Sequence, residues 1–316
     1  MRARRSCLAV PGSNPRMLDK ARTLPADHVF LDLEDAVAPL AKEGARANVV
    51  AALREGGWDG KTRAVRVNDL STPWTYRDVI EIVEGAGDHV DCLVLPKVRD
   101  AGQVIWVDTL LTQIEKTLGL PIGGIGLELQ IETAGGLVEV DAIAAASERA
   151  DALVFGPADF MASLNMPSLA VGELSPDYPG DPFHYVLMRL LVAARSHDLQ
   201  AIDGPYLQIH DVAGFTASAR RSAALGFDGK WVLHPGQIEA ANEVYSPSAE
   251  AFDRAELILD AYEHATSEAG GALGAVMLGD EMIDEASRKL AQVIAAKGRA
   301  AGLRRATASP PPPARG

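Results

Sequence analysis

Cysteine is scarce in this chain. Two occur in 316 residues, Cys7 and Cys92, each inside a short apolar run. A disulfide-stapled scaffold is excluded, and two cysteines with no clustered run of histidines leave no thiolate zinc site to expect. Both read as buried thiols in a reducing compartment. Positive charge is also short: 30 Lys+Arg stand against 43 Asp+Glu, a net charge of −13. That balance argues against nucleic acid and against an anionic membrane surface. An anionic substrate would need local basic residues. Long apolar runs are missing, with no stretch near the ~18 residues of a membrane span. The start "MRARRSCLAVPG" turns from basic to apolar, but its apolar part is too short for a signal peptide and Pro11-Gly12 breaks it. The reading is a cytoplasmic protein. Neither a "GxSxG" elbow nor a Cys–His pair is found. "GGIG" at 123–126 precedes a strand instead of following one, so it is no dinucleotide fingerprint.

What is present is alternation. Apolar runs of strand character fall at Ser6–Pro11, His28–Asp35, Arg63–Asn68, Cys92–Val98, Gly124–Glu132, Ala152–Asp159, Gln200–Tyr206 and Gly229–Pro235. They are apolar on both faces, as suits a parallel sheet covered by helices. Helical patterns lie between them; in Gln103–Leu118, Val104, Val107, Leu111, Ile114 and Leu118 share a face. Eight strands alternating with helices read as a (β/α)8 TIM barrel, α/β in class, with a doubly wound sheet as the rival. The barrel domain is drawn over 1–268. A Gly-rich linker and a helical extension follow over 269–305, and a disordered Pro-rich tail over 306–316. In the extension Ile283, Ala286, Leu290, Val293 and Ile294 form an apolar face, for which a neighbouring subunit is one cover.

In such a barrel the chemistry lies at the C-terminal strand ends. The polar residues there are Ser13, Asp32, Glu34, Asp35, Arg66, Asn68, Lys97, Glu132, Asp159, Asp203 and His234. Most are acids. Mg²⁺ takes one or two carboxylates and keeps positions open for water and substrate, and Glu132 and Asp159 on adjacent strands fit that pattern. Each acid could instead cap the next helix. Several converging on one rim favour the metal. Arg66, mid-strand, suits a bidentate carboxylate; its structural alternative is an internal salt bridge to Asp32 or Glu34. Lys97 could serve as a Schiff-base lysine, the less favoured reading beside a metal. His234 reads as structural.

Taken together, "RSCLAVPGS", "HVFLDLEDAVAP", "AVRVN", "LVLPKV", "LQIETAGGL", "ALVFGPADF", "LQAIDGPY", "GFDGKWVLHPGQI", "YSPS" and "EMIDEA" resemble, in order, the citrate lyase β-subunit-like CoA-ester lyases of the HpcH/HpaI aldolase superfamily. The resemblance spans Arg5 to about Ala300 and is nearest the malyl-CoA/β-methylmalyl-CoA lyase branch. It implies a TIM barrel with a C-terminal extension, assembled as trimers or hexamers. It implies Glu132 and Asp159 as ligands of Mg²⁺ (or Mn²⁺), and Arg66 as the holder of the substrate carboxylate and oxyanion. Glu34 and Asp35 would lie near the metal waters. Asp284 in "MID" would be an acid/base supplied by a neighbouring subunit, although Glu285 stands where the family often has Pro. Arg16 and Lys20 would meet the CoA phosphates. The activity implied is reversible cleavage of malyl-CoA or β-methylmalyl-CoA to glyoxylate and acetyl-CoA or propionyl-CoA. The alternatives are a malyl-CoA thioesterase, a citramalyl-CoA lyase, a citrate lyase β subunit and an inactive scaffold barrel.

Overall fold

A computed structural model of the chain describes residues 3–174 and 178–306. Eight parallel strands close into a barrel in sequence order. They are β1 (Ser6–Pro11), β2 (His28–Asp32), β3 (Thr62–Arg66), β4 (Cys92–Leu95), β5 (Gly126–Ile131), β6 (Ala150–Phe155), β7 (Gln200–Asp203) and β8 (Gly229–Val232). β8 returns to β1 through Cys7↔Trp231 and Leu8↔Val232. The eight expected strands are all present. Most stop several residues earlier than their apolar runs suggest, because the run continues into the loop that carries the rim.

Strand alternation divides the core in two. Cys7, Phe30, Ala64, Cys92, Val94, Val154, Ile202 and Trp231 form a cluster inside the barrel. The residues between them, such as Leu8, Leu31, Val65, Leu93 and Leu153, join the larger core under the helices. Both faces of each strand are therefore covered, which is why the strands read as unbroken apolar runs. The helix Ala101–Leu118 shows how the outer layer is fixed. Asp100 caps its start by accepting from the Gln103 N–H, and Gly119 ends it at φ 69°. Val104, Val107, Leu111 and Ile114 are buried along one stripe, while Leu118 is exposed.

Contacts divide the chain into two compact units, Arg4–Tyr245 and Ser246 onward. The division falls earlier than position 268, because the helix Ala249–Thr266 packs on the C-terminal helix Glu285–Ala300. Within this unit Phe252 and Ala255 meet Ala291 and Ala295. Gly298 is required there, since a Cβ would lie 2.2 Å from the Phe252 ring. The Gly-rich stretch is not linker throughout. β9 (Val276–Leu278) and β10 (Glu281–Ile283) pair antiparallel as a hairpin, with Gly279 at φ 65° between them. The apolar face expected on the last helix is split. Ala291 and Ala295 are buried and Ile294 is partly so, but Leu290 and Val293 are 69% and 54% exposed. The tail expected over 306–316 lies, beyond Ala306, outside the described residues. No helix among the described residues is long and apolar enough to cross a membrane.

Candidate active site

The rim of the barrel is built by β2, β3, β4, β5 and the turn after β6. Register sets the first contact: Asp32 lies beside Arg66 at the ends of β2 and β3. The Arg66 Nε and Nη2 donate to the two Asp32 oxygens, each at 2.7 Å. Its Nη1 lies 2.9 Å from Glu34 Oε2, and the guanidinium rests 5.3 Å above the Trp231 ring. Burial opposes charge on Arg66, yet Asp32 and Glu34 hold its pKa raised. Burial likewise opposes ionisation of Asp32, but the Arg66 charge and hydrogen bonds keep its carboxyl below the usual range. The salt-bridge alternative for Arg66 is thus seen, and it fixes the plane of a fork that retains further N–H donors.

Lys97 follows β4 in a left-handed conformation, φ 52°. A non-glycine residue pays strain there, and the turn aims its N–H at Glu132 Oε1, 2.7 Å away. Its ammonium contacts Glu34, Asp35 at 3.3 Å and Asp159 at 3.7 Å. Burial would lower the Lys97 pKa, but its hydrogen bond to Glu34 and the surrounding acids raise it. A lysine held charged in this way is a poor Schiff-base nucleophile.

Glu132 is the crowded member. It is 2% exposed. Its Oε2 accepts from the Gln130 amide at 2.6 Å. Gly156 lets the chain pass so close that a Cβ would lie 2.3 Å from that oxygen. Burial, then the charges of Asp159 and Glu34, push its carboxyl up to about 8. Burial also pushes the Glu34 carboxyl up, against Arg66 and Lys97. Asp159 does not end a strand as the apolar run suggested. It sits in the first turn of the short helix Pro157–Ser163, four residues past β6, and half open to solvent at 38% side-chain exposure.

Asp32, Asp35, Arg66, Glu132 and Asp159 line one cleft of about 310 Å³. All its charged donors are hard carboxylate oxygens, and the buried Gln130 Oε1 beside them has no partner. Buried like-charged carboxylates are relieved by a cation, so this residue set fits a hard divalent cation.

Other expected residues go elsewhere. Asp203 turns away to Lys230 Nζ at 2.6 Å and to the Ser222 hydroxyl at 2.8 Å. His234 caps the turn after β8, its Nδ1 accepting from the Gly236 N–H. Asn68 binds Asp78. Arg16 and Lys20 are exposed on the helix Pro15–Thr23, and Lys20 lines a second cleft between β1 and the turn after β8. Asp284 belongs to the C-terminal unit, where it caps the last helix by accepting from the Ser287 N–H at 3.0 Å.

Sequence reasoning missed two inward polar residues, Glu128 and Gln130, on the strand that Glu132 directly follows. Glu128, Gln130 and Glu132 occupy alternate positions of "LELQIET", and their period of two was the signal. Glu128 sits at the other end of the interior with His28 and Cys92 in a metal-like grouping. Its Oε1 already takes Arg4 Nε at 2.9 Å, His28 Nε2 at 3.0 Å and Cys92 Sγ at 3.2 Å. Three donors on one oxygen make a satisfied anion rather than a ligand set awaiting an ion. Both cysteines are buried and free.

Residues 5–235 match the HpcH/HpaI aldolase/citrate lyase family. The chain belongs to this family. It is 41% identical to an L-malyl-CoA/beta-methylmalyl-CoA lyase of Cereibacter sphaeroides over 93% of this chain and 94% of the relative. It is 34% identical to the citrate lyase subunit beta of Escherichia coli over 96% of each. Among solved structures of this family's fold, the CitE protein of Mycobacterium tuberculosis in complex with magnesium, acetoacetate and coenzyme A shares 28% identity. Its TM-score is 0.71, over 94% of this chain and 98% of that one. A citrate lyase of Burkholderia xenovorans, 21% identical, supports the fold with a TM-score of 0.81 over 97% and 94%.

Proposed function

We propose that this member of the family is a Mg²⁺-dependent carbon–carbon lyase acting on malyl-CoA and β-methylmalyl-CoA. The observation that carries the reading is Glu132, buried among Asp159 and Glu34 and pushed up to about 8 beside a fixed arginine. That arrangement suits a cation and an anionic ligand together. The 41% identity to a malyl-CoA/beta-methylmalyl-CoA lyase supports this substrate over citryl thioesters, for which the likeness is 34%.

Glu132 and Asp159 would hold the ion, with Glu34 and Asp35 beside its waters. Bound Mg²⁺ supplies Lewis-acid polarisation of the substrate oxygens and lowers the hydroxyl pKa. Arg66, its plane locked by Asp32, turns its remaining N–H groups to the substrate carboxylate. Passage of the hydroxyl proton to solvent water lets the bond to the thioester α-carbon break. Glyoxylate forms, and the electron pair passes to the acyl-CoA as its enolate. Asp284, supplied by a second copy of the chain, protonates that carbon or removes its proton in reverse. Hydrogen bonds from Ser287 hold the Asp284 carboxyl below its usual range, which suits the removal of that proton in the reverse direction; in cleavage it first takes a proton from solvent. Exposed Leu290 and Val293 in the same unit offer apolar surface for contact with a second copy, as the family's trimers or hexamers would use. Arg16 and Lys20 would meet the CoA phosphates. A cytoplasmic location suits CoA thioesters.

The test is product analysis. Malyl-CoA, enzyme and Mg²⁺ should yield acetyl-CoA and a glyoxylate phenylhydrazone. Free thiol and malate without hydrazone would overturn the lyase in favour of a thioesterase. Activity on free CoA thioesters would separate it from a citrate lyase subunit that needs a carrier protein.

A further inference from the structure

Two clefts open on the rim, and they share a wall. The acid cleft is about 310 Å³. The second, about 280 Å³ and mainly apolar, lies against β1, the helix Pro15–Thr23 and the turn after β8. Ala9 and Leu233 line both. The pairing of β1 with β8 ends at Leu8↔Val232, so Ala9 is the next residue of β1 and Leu233 is the first residue beyond β8. Cys7, two positions earlier on β1, belongs to the interior cluster and Ala9 packs against that cluster, as alternation along the strand requires; Leu233, in the turn after β8, lines the acid cleft opposite it.

The Leu233 side of this wall is rigid. Fully buried Gln237 accepts the Leu233 N–H at 2.8 Å and the His234 N–H at 3.3 Å. Its amide nitrogen donates to the Tyr206 carbonyl at 3.3 Å. The turn after β8 is thereby tied to the segment after β7, and Leu233 is not free to swing aside. The Ala9 side is a strand residue with the smallest side chain that still has a Cβ.

We infer that the Ala9–Leu233 seam selects the acyl group. The inference rests on the proposed function, in which an anionic head meets Arg66 and the acids while the CoA arm occupies the second cleft. A ligand spanning the two passes its thioester and α-carbon across the seam. A methyl on that carbon lies against Ala9 and Leu233, and the small Ala9 is what leaves room for it. Propionyl-type thioesters are accepted beside acetyl-type ones for this reason.

The experiment is calorimetric titration of acetyl-CoA and propionyl-CoA into the full-length protein with Mg²⁺, for wild type, Ala9→Val and Leu233→Ala. A methylene in an apolar pocket is worth about 10–200-fold. Ala9→Val should shift the ratio of dissociation constants toward acetyl-CoA by at least about tenfold, and Leu233→Ala should shift it the opposite way. An unchanged ratio in whichever of the variants folds would overturn the inference, whatever happens to the absolute affinities. Circular dichroism melts show whether either variant is misfolded; because two variants of opposite volume change are read, one folded variant suffices. The readout needs no turnover. Should wild type release thiol and malate instead of glyoxylate, the lyase reading fails while the ratio still decides the seam.

Discussion

Glu128 and Glu132 lie four residues apart around β5, point into the same barrel and are equally buried, at 1% and 2% exposure. Their environments are opposite. Glu128 meets Arg4, His28 and Cys92, and against the burial penalty these hold its carboxyl far below the ordinary value. Glu132 meets Asp159 and Glu34, and burial with those charges pushes it up to about 8. A layer of Phe30, Val94, Val154, Ile202 and Trp231 belongs to the same interior. One end of the barrel is electrostatically complete, whereas the other gathers more acid than its own cations neutralise. The difference marks Glu128 as an ion satisfied within the fold and Glu132 as the crowded acid that we propose for the metal.

The sharpest way to break this comparison is to exchange the two. Glu128→Gln removes the buried carboxylate at Arg4 Nε, leaving that guanidinium only its half-exposed carboxylate partner Asp151 at 3.2 Å, and should lower stability by about 3 kcal/mol, read by urea unfolding. Its turnover per folded molecule should remain. Glu132→Gln should do the reverse. Glyoxylate release should fall at least about 100-fold, with no loss of stability in metal-free protein. Equal effects of both substitutions on both readouts would end the distinction.

The pH dependence should also differ in sign. Glu132 has a folded value above its ordinary 4.5, so in metal-free protein its contribution is full below 4.5 and lost as pH rises through about 8. Urea midpoints should therefore decline over that window, and Glu132→Gln should flatten the decline. Mg²⁺ must displace the same proton, so its affinity should climb as pH approaches 8. Glu128 is depressed, and its contribution is present above 4.5 and lost as pH falls toward its folded value.

Smaller effects sharpen the picture. Lys97→Met removes an ammonium 3.7 Å from Asp159, and Mg²⁺ should bind up to about tenfold more tightly by calorimetry, since cations repel at that range. Cys92→Ala takes one donor from Glu128 Oε1. It should cost about 1–2 kcal/mol in unfolding free energy and leave turnover unchanged.

The sequence made much of this legible. Eight apolar runs separated by amphipathic helices were enough for a barrel, because strands covered on both faces must read that way. The rim acids followed from their place after those runs. Glu128 was hidden by the same reasoning: within "LELQIET" an inward polar residue looks like a flaw in an apolar strand until the barrel interior is drawn. Asp159 was placed at a strand end because "ALVFGPADF" is apolar throughout, while Pro157 starts a helix there. The apolar face of the last helix was read as one stripe, but the small residues Ala291, Ala295 and Gly298 took the buried side. Close helix packing on Phe252 needs small side chains and leaves Leu290 and Val293 outside.

By itself, then, the sequence determined the strand count, the family and the acids that converge on one rim, since these follow from periodicity, order and residue type along the chain. Only the tertiary structure decided which glutamate is satisfied and which is crowded. Charge partners such as Arg4 and Glu128 are 124 residues apart, and Arg66 and Asp32 are 34 apart. A carboxylate's state depends on the charges within a few ångströms and on the water excluded around it, and closure of the barrel sets both.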